Sequence, residues 1–286
     1  MQNMRLYQLT LLTALAPVFW GTTYIVTTEF LPPDRPFIAA VIRVLPAGFL
    51  LILMSRQLPL RSEMMKVIIL SFLNIACFQA MLFVAAYHLP GGIAAVVGAV
   101  QPLLIMLIMW AADSVKPRGA TLTAALFAVA GMGLLLIKPD SRWDAAGLLA
   151  AFAGAVSMSF GTYLSFRWKL SLSKYAFTGW QLFIGGLMLI PVVCFTETFP
   201  AHMALKNYIG YAYLSFFGSL VAYFLWFQGL KELPTVAVAV LGLLSPVTAV
   251  TVGWLWLGQQ LSPAQSVGFV TVLVCIAVVQ RTAGRS

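Results

Sequence analysis

Apolar runs of about 20 residues, separated by short polar or proline-marked joins, fill the chain from end to end. They fall near residues 6–28, 36–55, 67–87, 92–112, 119–137, 145–166, 175–196, 207–230, 235–257 and 263–280. A bilayer core takes roughly 20 helical residues per crossing. The pattern therefore predicts ten membrane-spanning helices. Transmembrane β-strands are about 10 residues long and alternate in polarity, and no stretch here does so. The fold class is all-α and polytopic. The longest joins, Arg56 to Lys66 and Glu197 to Lys206, are the size of ordinary loops. Arg5 ahead of an apolar run, with Ala14-Leu15-Ala16 further on, imitates a secretory leader. The run continues through Trp20 to Val26, and we read it as a retained first span.

Composition narrows the class. Of 286 residues, 61% are hydrophobic and 9% charged. An average soluble domain carries about 25% charged residues. Disorder, a nucleic-acid module and an ordinary soluble enzyme are excluded, and little chain is left for a soluble domain. The net charge of +9 reads as a topology label. With the N-terminus inside, 12 of the 17 Lys and Arg fall on the inner side. Arg35, Lys138, Arg142 and Lys206 fall outside, and Arg43 lies within a span. This bias predicts a cytoplasmic-membrane protein with both termini in the cytoplasm. Cys77, Cys194 and Cys275 are far apart, each in an apolar run, with no metal-ligand spacing.

The chain also contains a duplication. Residues 88–102, from His88-Leu89-Pro90 to Gln101-Pro102, align without gaps on residues 232–246, from Glu232-Leu233-Pro234 to Ser245-Pro246. The offset of 144 keeps Gly98 on Gly242 and reaches Trp110 and Trp254 downstream. Trp20-Gly21-Thr22 resembles Phe160-Gly161-Thr162 at offset 140, and Arg43 falls opposite Gln181 at offset 138. Two repeats follow, residues 1–141 and 142–286. Each holds five spans, an odd number, so the second is expected upside down relative to the first. Inverted repeats around a midplane site are a signature of alternating-access transporters.

Together these features resemble a bacterial EamA-type member of the drug/metabolite transporter superfamily. The resemblance rests on Trp20-Gly21, the Arg43 position, the two Leu-Pro…Gly…Pro segments ending at Pro102 and Pro246, and Trp254-Leu-Trp-Leu-Gly258 followed by Leu261-Ser262. It covers essentially the whole chain. It implies ten helices in a 5+5 inverted arrangement, exporting amino acids, related metabolites or toxic organic compounds. The family often carries Glu after the Gly ending the fourth and ninth spans. Here Asp113 and Gln259 stand near those places.

Several residues are candidates for the transport site. Pro102 and Pro246 each remove a helix bond to the carbonyl four residues earlier, that of Gly98 or Gly242. The four form a paired kink, read as hinges with freed carbonyls near the bilayer centre or as static kinks. Ser71, Ile75, Gln79 and Phe83 share one face by i, i+4 spacing, as do Ser215, Ser219, Tyr223 and Phe227. Gln79 and Tyr223 are equivalent, and so are Gln101 and Ser245. These polar residues line a cavity or bond between helices. Trp20, Tyr24 and Tyr163 supply aromatic walls for an amphipathic organic substrate. Trp143, Trp168 and Trp226, near span ends, are assigned to the interfacial belt; Trp180 fits either role. Arg43 attracts a substrate carboxylate, or caps carbonyls or pairs with Asp34 or Glu29.

No Asp or Glu lies deep in any span, so we expect no carboxylate relay in the membrane core. No Walker loop, metal cluster or nucleophile set is present, so no catalytic residue, metal or cofactor is expected. A nucleotide-sugar carrier of the same superfamily, a membrane-embedded lipid-modifying enzyme and a channel are the rival readings. The expected partners are a small-molecule substrate and the lipid bilayer, without nucleic acid. Monomer and homodimer both remain open.

Overall fold

The computed structural model describes residues 2–88, 91–137, 144–200, 202–258 and 260–283, with the side chains of residues 2, 3, 24, 83, 86, 87, 91–94, 257 and 283 outside that description. The described chain is helical throughout and contains no strand. Among the described residues, ten helices are long and apolar enough to cross a membrane. They are Met4–Phe30, Pro36–Ser55, Arg61–Leu82, Ala95–Asp113, Gly119–Leu136, Ala145–Arg167, Lys174–Thr196, Leu205–Glu232, Thr235–Trp256 and Pro263–Thr282. We call them spans one to ten. The chain is thus a multi-pass membrane protein. The third span starts about a turn and a half earlier than the apolar run alone suggests, because Arg61, Glu63 and Lys66 form its amphipathic first turns.

Two departures from regular helix position the centre of the molecule. The third and eighth spans each contain a π-helical turn, Phe72–Cys77 and Phe216–Val221. The second starts 144 residues after the first, the offset of the sequence duplication. The fourth and ninth spans are each broken by a turn, at Ala99–Val100 and Gly242–Leu243. Each break lies two or three residues before Pro102 or Pro246, whose ring has no N–H to continue the ladder. Pro17, Pro46 and Pro191 sit inside unbroken helices, so proline alone does not produce the breaks.

Close helix crossings depend on small residues. The fifth and tenth spans meet where a Cβ on Gly268 would stand 2.5 Å from the Gly131 carbonyl oxygen. The second and seventh meet at Gly48, whose Cβ would stand 2.5 Å from the Phe183 amide nitrogen. In lipid, helices gain most by bringing backbones together, so glycine marks such crossings.

One end of the bundle carries most of the basic residues and is closely tied. Glu232, ending the eighth span, pairs with Arg5 of the first at 3.2 Å and with Lys174 of the seventh. Asp113, ending the fourth, pairs with Arg167 of the sixth at 2.6 Å. Glu63 accepts from the backbone N–H and hydroxyl of Ser171, at 2.9 and 2.7 Å. Gln57 donates to the Ser171 carbonyl and accepts from the Ser173 amide. At the opposite end, the Glu197 carboxylate accepts from the backbone N–H groups of Phe37 and Ile38 at 2.7 and 2.8 Å. It thereby caps the second span.

Candidate functional site

The middle of the bundle holds a compact set of polar and aromatic side chains. Gln79, two residues past the first π-helical segment, donates from its amide nitrogen to the Tyr223 hydroxyl at 3.2 Å. Both side chains are almost wholly buried. These two are duplication equivalents, so each repeat contributes the same position and the two meet. Tyr223 packs against Trp20, with ring centroids 5.1 Å apart, and stacks on Phe227 at 5.9 Å. Trp20 also packs against Trp226 at 5.1 Å. The first and eighth spans therefore build an aromatic cluster beside the Gln79–Tyr223 pair.

The π-helical turn of the eighth span supplies a backbone acceptor. A π-turn displaces carbonyls from the α-helical ladder, and such turns recur at functional sites. The Gly218 carbonyl accepts from the Trp20 indole N–H at 3.0 Å and from the Arg43 guanidinium at 3.1 Å. Arg43 also donates to the Ser219 hydroxyl at 3.2 Å. Arg43 is buried, and these bonds carry the carbonyl-capping role anticipated for it. They join the first, second and eighth spans at one point.

The other repeat builds the matching junction with different chemistry. Asn74, 144 residues before Gly218, donates to Gln181 at 2.8 Å and to the Ser165 hydroxyl at 3.0 Å. Gln181 is the equivalent of Arg43. The Ser157 hydroxyl donates to the Leu73 carbonyl in the same π-turn at 2.9 Å. Here a side-chain amide replaces both the backbone carbonyl and the guanidinium. Sequence reading had not singled out Asn74, Ser157 or Ser165. A lone Asn in the run Phe72-Leu-Asn-Ile-Ala-Cys77, opposite Gly218 in the duplication, was the available signal.

The two broken helices differ, and the expectation of two exposed carbonyls needs correction. The Gly242 carbonyl accepts from the Ser245 amide at 3.1 Å in a tight turn, and a Cβ on Gly242 would stand 3.0 Å from the Ala239 carbonyl oxygen and 3.5 Å from the Trp226 ring. Both glycines are half-buried, but a Cβ on Gly98 would meet nothing within 4 Å. The ninth span is thus packed at its break, while the fourth faces open space. Gln101 and Ser245 are half-buried just beyond the two breaks, followed by Pro102 and Pro246. Gly21 permits the first span to approach there: its Cβ would stand 2.5 Å from the Ser245 carbonyl oxygen. That contact explains the Trp20-Gly21 pair, with indole on Gly218 and backbone on Ser245.

Other anticipated residues lie elsewhere. Tyr163 donates to Asp113 at 2.8 Å, beside Arg167 at the basic end, apart from the central pair. Trp226 does not belong to an interfacial belt, for it is 3% exposed and packs on Trp20. Its distance from the span end had suggested the belt, but the eighth span continues to Glu232 and buries it. Trp180 donates to the Gln57 carbonyl at 2.9 Å, and the Lys66 ammonium lies 5.9 Å from the Trp168 ring. The strict i, i+4 stripe is also corrected. The π-turn adds a residue to the register, and Ser215 lines a groove between the second and eighth spans, away from buried Ser219 and Tyr223. Tyr24, Phe83, Trp143 and Gln259 lie outside the described residues or side chains.

Ten spans, broken helices and a buried polar centre joined by equivalent residues set the class, a multi-pass membrane protein. Comparison with known proteins places it further. Residues 9–137 and 145–281 each match the EamA-like transporter family. The chain is 43% identical over 267 residues to Protein PecM of Dickeya dadantii (strain 3937), covering 93% of this chain and 90% of that one. It is 26% identical to the uncharacterized transporter YwfM of Bacillus subtilis (strain 168), covering 94% and 92%. It is 24% identical to the uncharacterized inner membrane transporter YedA of Escherichia coli (strain K12), covering 92% and 87%. A solved crystal structure shares the fold with a TM-score of 0.82 at 20% identity, over 98% of each chain. The chain belongs to the EamA-like transporter family.

Proposed function

We propose that this transporter exports small amphipathic organic metabolites across the cytoplasmic membrane by alternating access, as a facilitative or secondary active carrier. Amino acids, aromatic metabolites and toxic organic compounds are the candidate cargo. Residues 1–141 and 142–286 act as two inverted five-span repeats, and both termini face the cytoplasm. The observation that carries the reading is the Gln79–Tyr223 hydrogen bond. Two equivalent residues touch only when they lie on the axis relating the repeats, and transport sites sit at that interface. The equivalent π-turns and the unequal packing at Gly98 and Gly242 support it. In this reading the basic end is the closed cytoplasmic gate, held by Glu63, Asp113 and Glu232.

The test is export from a sensitive host challenged with amino-acid analogues and toxic organic compounds. Gln79→Ala with Tyr223→Phe is expected to abolish protection at normal membrane abundance. Unchanged protection removes the pair from the site. All described acidic residues lie at span ends or in loops. Counterflow of a protective compound in proteoliposomes at equal pH on both sides is therefore expected to proceed. A strict requirement for a proton gradient, lost with one core residue, contradicts it.

A further inference from the structure

Five buried polar side-chain atoms have no hydrogen-bond partner among the described residues, and two of them lie in the aromatic centre. One is an acceptor, Gln79 Oε1; the other is a donor, the Trp226 indole N–H. Gln79 is 1% exposed and Trp226 3%. An unpaired buried group is destabilising by about 1–3 kcal/mol, and lipid tails offer nothing in compensation. Both atoms belong to one cluster. Gln79 bonds Tyr223, Tyr223 packs on Trp20, and Trp20 packs on Trp226. The Gln79 amide nitrogen is held by Tyr223, and the Trp20 indole N–H is held by Gly218.

Charge restricts what can meet these atoms. The described carboxylates of Glu29, Asp34, Glu63, Asp113, Asp144, Glu197 and Glu232 all lie at span ends or in joins. No described acid flanks the cluster, and the Arg43 guanidinium bonds Gly218 beside Trp20. A cationic ligand therefore finds repulsion without a counter-charge. The faces of Trp20, Tyr223 and Trp226 favour a flat apolar body.

We infer that the transported compound itself satisfies these two atoms: an uncharged, planar aromatic molecule carrying at least one acceptor for the Trp226 N–H and one donor for the Gln79 carbonyl. This rests on the transport reading above and specifies its substrate class. Both side chains are specificity-determining residues that touch the cargo. When the bundle opens, the ligand takes the place of the contact between Trp20 and Trp226.

Calorimetry on the full chain in nanodiscs, with empty nanodiscs as the blank, tests it using four related probes. Naphthalene carries neither polar group, quinoline an acceptor, indole a donor, and indole-3-carbaldehyde both. Indole-3-carbaldehyde is expected to bind about tenfold more tightly than quinoline or indole, with naphthalene weakest. Trp226→Phe should weaken indole-3-carbaldehyde and quinoline by about tenfold and spare indole. Gln79→Met should weaken indole-3-carbaldehyde and indole and spare quinoline. Equal loss of all four probes in either variant overturns the inference, because that is the mark of a structural role. Tighter binding of 1-methylquinolinium than quinoline also overturns it. So does failure of every probe to bind the wild-type chain. If that failure accompanies saturable counterflow of some other compound, the substrate class falls and the transport reading stands. If saturable counterflow is also absent for compounds that score in the host, the transport reading falls as well.

Discussion

At the scale of single residues, Arg43 joins three spans through one backbone carbonyl. Its guanidinium reaches Gly218 and Ser219 from the second span, and Trp20 reaches the same carbonyl from the first. Removing the guanidinium leaves the Ser219 hydroxyl without this donor and halves the donors on Gly218. Arg43→Ala is therefore expected to lower stability by about 1–3 kcal/mol, read as a lower unfolding temperature in detergent. Arg43→Gln places at this position the residue its counterpart, Gln181, already uses. It should recover most of that stability, because an amide also donates to a carbonyl. If Arg43→Gln is as stable as wild type but no longer transports, Arg43 acts on the cargo and its structural role is secondary. The sequence showed that Arg43 was unusual and left two roles open. Its partner was hidden, since nothing in the one-letter pattern marks a carbonyl displaced by a π-turn.

At the scale of helical elements, the π-turns and breaks make the centre polar without placing a charge pair there. A regular eighth span would keep the Gly218 carbonyl in its own ladder. Deleting Phe217 should return that span to regular α-helix while preserving the register of Tyr223 and Trp226. Trp20 and Arg43 then lose their shared acceptor, and membrane abundance should fall severalfold. Combining the deletion with Arg43→Leu should restore abundance without restoring transport, measured by quantitative blotting beside the export assay. Restored transport in that combination contradicts the role given to the Gly218 carbonyl. The helix breaks were legible because Pro102 and Pro246 sit mid-span in equivalent places. The π-turns were not, because one extra residue barely alters an apolar run. That same residue spoiled the i, i+4 stripe and placed Ser215 in the groove between the second and eighth spans.

The basic end is also an element-scale device. The three acids at that end, Glu63, Asp113 and Glu232, each bridge separate spans or their connecting segments. An exposed ion pair is worth little by itself, about 0–1 kcal/mol. In the proposed alternating-access reading, their joint effect falls on the balance between two arrangements of the bundle, where differences of that size change populations severalfold. Glu232→Gln should loosen the ties to Arg5 and Lys174. Faster thiol labelling of a cysteine placed at Lys231, beneath that contact, is the expected result. An unchanged rate means the pairs are incidental to closure.

At the scale of the whole molecule, the apolar pattern specified ten spans and the duplication specified which positions should correspond. The structure adds that Gln79 and Tyr223 meet, and that the Asn74–Gln181 junction mirrors the Gly218–Arg43 one. Contacts between distant spans could not be read from spacing within either span, so Trp226 was misassigned by depth, and the bond of Tyr163 to Asp113 was not foreseen. The central claim is that the two ends of the bundle open in turn about the Gln79–Tyr223 pair. It is tested most directly by electron spin–spin distances in nanodiscs. One label pair at Arg61 and Lys169 reports on the basic end, and one at Thr28 and His202 reports on the other. With a compound that scores in the export assay, the account expects two populations at each end, shifting in opposite directions. A single unshifted distance at both ends, or both ends widening together, contradicts it.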